Sequence, residues 1–121
     1  MFQFVFYILS AALLLGLTLS LFYLGIVRVR LWWLAAVHGT LGAAGFGALI
    51  FAWNGRAQDV ARGVEGFGKL AAILAGVTLA IGVTILLLPT FGHRRPNWVI
   101  GAHATMGIAA YVFLLAYVAL G

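Results

Sequence analysis

The chain has 121 residues, of which 65% are hydrophobic and 7% charged, with no cysteine and a formal net charge of +5. A soluble domain carries roughly 25% charged residues, so the composition excludes one and indicates an integral membrane protein. The lack of cysteine excludes disulfides, thiolate metal sites and iron–sulfur clusters. The positive charge lies in loop arginines that suit lipid headgroups, and it forms no soluble basic face. Membrane lipid is therefore an expected partner and nucleic acid is not.

A bilayer crossing needs about 20 apolar residues, and its backbone must bond internally, so each long apolar run reads as a helix. Four are expected, over residues 2–27, 31–53, 70–91 and 97–120, forming one transmembrane domain from residue 1 to 121. The first starts at Met1-Phe2-Gln3-Phe4, with no basic region before it and an apolar run longer than a signal core, so it is read as a retained span. Arg28-Val29-Arg30 separates it from the second. Asn54 to Lys69 contains Arg56, Asp59, Arg62, Glu65 and four glycines, and is expected to be a surface loop with a weak helical turn. The stretch from Pro89 to Pro96 separates the last two helices, with Pro96 suited to the first turn of the fourth. Short links favour an all-α, up-down-up-down four-helix bundle. The positive-inside rule puts the face with Arg28, Arg30, Arg94 and Arg95 on the cytoplasmic side, both termini outside, in a membrane of the bacterial inner type.

The second and fourth spans share a motif. Val37-His38-Gly39-Thr40-Leu41-Gly42 returns 65 residues later as Ala102-His103-Ala104-Thr105-Met106-Gly107, and Arg30 and Trp33 answer Arg95 and Trp98. For the first and third spans the alignment reads Ala11 to Leu19 against Ala71 to Leu79, an offset of 60, which equates Gly16 with Gly76 and gives the second half a connecting segment five residues longer. Two spans per half make the halves parallel, about an axis along the membrane normal.

Intramembrane histidines are costly and mark functional sites. His38 and His103 each follow an arginine by eight residues, so they lie about 12 Å below one membrane face, on diagonal helices. This arrangement suits one b-type haem with both imidazoles as axial iron ligands. Residues four and seven positions after each histidine share its face; they are Gly42 and Gly45, and Gly107 and Ala110, all small enough for a macrocycle to approach. Gly16 and Gly76 extend the slot, and Arg30 and Arg95 stand ready for the propionates. The competing readings are close helix packing for the small residues, an interhelical hydrogen bond or proton relay for the histidines, and headgroup anchoring for the arginines. His93 reads as a solvated loop residue, and Trp32, Trp33 and Trp98 as interfacial belt.

With these residues the chain resembles, over its whole length, the transmembrane b-type cytochromes of the b-561 kind and the cytochrome b core of respiratory complexes. The resemblance implies a four-helix bundle with haem between His38 and His103 on diagonal helices. Those families commonly use four histidines for two haems; two buried histidines leave one haem per chain. The function expected is membrane electron transfer, as a small cytochrome subunit beside other redox subunits or as a quinol-linked oxidoreductase, with quinone as a partner. A non-redox assembly subunit and a small histidine-based transporter are the alternatives. No acid within a span and no pair of broken helices weigh against transport.

Overall fold

A computed structural model describes residues 2–26, 32–53 and 63–121, and these are helical almost throughout. The helices are α1 (Phe2–Tyr23), α2 (Trp32–Trp53), α3 (Glu65–Leu87) and α4 (Asn97–Leu120), with one 3₁₀ turn at Leu88–Phe91. All four are long and apolar enough to cross a membrane. Their outer faces carry large apolar side chains in the open, among them Phe4, Leu14, Phe51, Leu86 and Val112. Such surfaces would aggregate in water and suit lipid.

The end of α1 and the end of the 3₁₀ turn close alike. Gly25 and Gly92 each have φ of 75°, the left-handed conformation that ends helices. The residue after each reaches back five positions, Ile26 N–H to the Leu21 carbonyl at 3.1 Å and His93 N–H to the Leu88 carbonyl at 3.0 Å. Pro89 has no N–H for the Ile85 carbonyl four residues earlier. Arg95 Nε donates to that carbonyl instead, at 3.0 Å, so Arg95 completes the end of α3. Pro96 precedes α4 with extended ψ of 141° and caps it rather than entering its first turn.

Helix α3 begins at Glu65, not at Leu70, so part of the expected loop is helix. The cause is tertiary. Gly68 is buried against the Tyr117 ring, where an added Cβ would stand 3.0 Å from Cε2, and Val64 just before the helix is also buried. Glu65 in the first turn further favours the helix through its dipole. The glycine that read as loop is here a point of close helix approach.

Packing is dense at one end of the molecule. Val5, Leu49, Ala52, Ala71, Ala72 and Leu114 form the core, flanked by Phe2, Phe6, Tyr111 and Phe113. These residues come from the start of α1 and α3 and the end of α2 and α4. In lipid such packing stabilises by dispersion and shape, not by removing apolar surface from water. The opposite half is looser: Ala12 and Leu34 are buried there, while His38 and His103 are half-buried.

Candidate functional site

Each histidine is the seventh residue of its helix, His38 in α2 and His103 in α4. Each turns toward the helix preceding it in the chain. His38 Nδ1 lies 2.8 Å from the Ala12 carbonyl oxygen of α1, and His103 Nδ1 lies 2.9 Å from the Thr78 carbonyl oxygen of α3. A carbonyl can only accept, so Nδ1 carries the proton and Nε2 of the neutral ring presents a lone pair. Among the described residues no hydrogen bond engages either Nε2.

A glycine makes each of these bonds possible. A helical side chain covers the turn N-terminal to its own Cα, over the carbonyl four residues earlier. Four residues after Ala12 stands Gly16, and four after Thr78 stands Gly82. A Cβ at Gly16 would lie 2.9 Å from His38 Cε1, and one at Gly82 would lie 2.9 Å from His103 Cε1. Any other residue would therefore occupy the place of the imidazole. The glycine and the hydrogen bond together fix both the tilt and the tautomer of each ring.

The two ring centres are 6.0 Å apart and their planes stand at 84°. A metal bound by two imidazoles has bonds of about 2.0–2.1 Å on each side, which, with the distance from each nitrogen to its ring centre, separates the centres by roughly 6 Å. Both rings donate Nδ1–H to a backbone carbonyl, the arrangement that would orient a histidine for metal binding through its other nitrogen. Among the described residues no three His, Cys, Asp or Glu side chains gather to hold a metal ion. Two imidazoles alone would hold only a metal that brings further donors of its own.

The other expected site residues divide. A Cβ on Gly42 would meet nothing within 4 Å, so there is room beside it, whereas one on Gly107 would touch Thr78 Cγ2 at 3.4 Å. Gly45 is buried against α1, with Leu9 Cδ2 only 2.5 Å from where its Cβ would be, and Ala110 is buried as well. Gly76 faces Phe46, whose Cζ is 3.3 Å from an added Cβ, and not a histidine. Arg95 is exposed at the end of α3 with Nε committed to Ile85. His93 is exposed in the last connection. Arg28 and Arg30 lie outside the described residues.

Gly82 is the site residue that sequence reasoning missed. Gly-x-Thr occurs three times, as Gly16-Leu17-Thr18, Gly76-Val77-Thr78 and Gly82-Val83-Thr84. An offset of 60 pairs the first two; the contacts pair the first with the third, an offset of 66. Thr18, Thr78 and Thr84 all donate the hydroxyl to the carbonyl four residues back, so the register rests on the glycine–histidine contacts. From glycine to histidine is then 22 residues in the first half and 21 in the second, so that span is one residue shorter in the second half rather than five longer. The offset of 65 between the histidines carried the signal, had it been applied to the preceding helices. Compared with protein-family models, curated proteins and solved structures, the chain finds no match.

Proposed function

We propose that the chain is a small membrane cytochrome that holds one haem b between His38 and His103 and passes electrons within the membrane. The observation that carries this reading is the pair of imidazoles, each bonded through Nδ1 to a backbone carbonyl, with ring centres 6.0 Å apart. Each histidine already makes an interhelical hydrogen bond through Nδ1, and such a bond alone leaves unexplained why Nε2 of both rings has no hydrogen-bond partner among the described residues. Haem, when bound, supplies reversible one-electron exchange at its iron. His38 and His103 would hold it, the Ala12 and Thr78 carbonyls would keep their tautomer, Gly42 would leave space beside it, and the apolar walls of four helices would exclude water. Arg95 retains its terminal nitrogens for a carboxylate at the membrane face. A quinol donor and neighbouring redox subunits complete the reading.

The proposed architecture is an up-down-up-down bundle of two parallel helix pairs. Its support is the order of the contacts. Leu9 meets Gly45 while Gly16 meets His38; Gly68 meets Tyr117 while Gly82 meets His103; Phe2 meets Tyr117 while Phe6 meets Tyr111. In each pair of helices the residue numbers run in opposite senses. Arginines at the face with Arg94 and Arg95 put that face in the cytoplasm and the termini outside.

The test is haem content and ligation in protein made with ample haem. Pyridine haemochrome analysis should give one haem b per chain, six-coordinate and low-spin. His38→Ala and His103→Ala should each abolish the low-spin spectrum, and His93→Ala should leave it intact. Protein without haem, or either buried-histidine variant with a wild-type spectrum, overturns the proposal.

A further inference from the structure

The interface between α2 and α3 contains an apolar groove of about 520 Å³ that includes Phe46, Trp53, Lys69, Ala72, Gly76 and Ala80 in its lining. The corresponding interface between α1 and α4 is filled. Applying the offsets set by the site, 66 for α1 and α3 and 65 for α2 and α4, gives each groove residue a counterpart. Phe46 corresponds to Tyr111, Gly76 to Ser10, Ala72 to Phe6 and Ala80 to Leu14. In the filled interface the Phe6 and Tyr111 rings stack at 5.7 Å, and Tyr111 Oη lies 2.7 Å from Ser10 Oγ. Across the groove, Ala72 stands where Phe6 fills the counterpart interface.

The groove also gains what its counterpart lacks. Lys69 and Trp53 stand at one end, where the other interface has Gln3 and Val118. A basic residue beside a crevice between spans recognises an anionic headgroup, and tryptophan belongs at the headgroup level. From Lys69 to Ala80 a helix rises about 16 Å, the thickness of roughly one hydrocarbon leaflet. Bulk is lost and a cation gained on the same interface, at the spacing of a single acyl chain below a single phosphate.

We infer that the α2–α3 groove is a binding site for one anionic phospholipid, with an acyl chain along Gly76 and the phosphate at Lys69. The inference uses the two-fold relation of the halves and not the cofactor. Glu65 stands one turn before Lys69 and weakens the local positive potential, which sets the affinity below that of a wholly basic pocket.

Native mass spectrometry of detergent-purified, delipidated protein, titrated with phosphatidylglycerol or phosphatidylcholine, tests it. The wild type should hold one phosphatidylglycerol about fivefold more tightly than phosphatidylcholine. Lys69→Gln, which installs the counterpart residue, should erase that preference. Ala80→Leu, which puts bulk into the lining of the groove, should weaken both lipids while circular dichroism and gel filtration stay unchanged. Equal binding of both lipids by the wild type, or undiminished binding by Ala80→Leu, overturns the inference. A dimer that Ala80→Leu converts to monomer, with lipid binding unaltered, assigns the groove to a second copy and also overturns it. His38→Ala protein should bind the lipid as the wild type does, so the lipid site stands or falls apart from the haem.

Discussion

Replacing Gly16 or Gly82 by alanine should impair haem binding without unfolding the bundle. The new Cβ would lie 2.9 Å from Cε1 of the facing histidine, about 0.6 Å inside the shortest comfortable carbon–carbon contact of about 3.5 Å. The ring cannot simply swing aside, because Nδ1 is bonded to a carbonyl at 2.8 Å for His38 and 2.9 Å for His103. A retreat of about 0.6 Å stretches that bond to the edge of what counts as one. It also exceeds the roughly 0.5 Å within which a ligand must be held. Losing such a partner of a metal-bound histidine typically costs about 10–100-fold in affinity. The assay is haem titration of apoprotein in detergent, followed by the Soret band and the low-spin signal. Gly39→Ala is the control, since nothing lies within 4 Å of its added Cβ and it makes the same change to the helix backbone. Wild-type affinity and spectrum in both Gly16→Ala and Gly82→Ala would refute the clamp.

Gly42→Leu should leave the helical bundle intact by circular dichroism and gel filtration, because its side chain enters open space, yet abolish haem binding; normal haem content would move the macrocycle elsewhere. Gly45→Ala should do the reverse, forcing Leu9 aside at a cost of about 1–3 kcal/mol, read as a lower thermal midpoint in detergent; an unchanged midpoint would deny the close approach of α1 and α2. Arg95→Gln should destabilise the end of α3, seen as faster amide exchange near Ile85, and lower the midpoint potential of bound haem by removing a cation near the propionates. Altered exchange with an unchanged potential would leave Arg95 as a helix cap alone.

The spans were legible because uninterrupted apolar runs leave a chain few options in lipid. The two histidines were legible because their helices begin with matching residues, Trp33 and Trp98, at equal distances from them. Gly82 was not, because a Gly-x-Thr repeat exists in two registers and the choice depends on which turn of α3 faces His103. The early start of α3 was hidden for a related reason: Gly66 and Gly68 depress helix propensity locally, and what overrides it is the Tyr117 ring from a distant helix. The Arg95 cap could have been read from the missing N–H of Pro89, but its geometry required the turn at Gly92. Features set within one helix came through; those set by how two helices face each other needed the fold.

Each imidazole takes its hydrogen bond and its glycine from the helix just before it, so both rings are aimed by local hairpins and neither by the seam between them. A sideways slip of one hairpin against the other would change the gap between the rings and leave their tilts untouched. Orientation is thus inherited from short-range structure, while spacing is left adjustable until something spans it. A molecule bridging the two rings would act as a rivet, closing the looser half of the bundle and completing a joint that the dense core at the other end only begins.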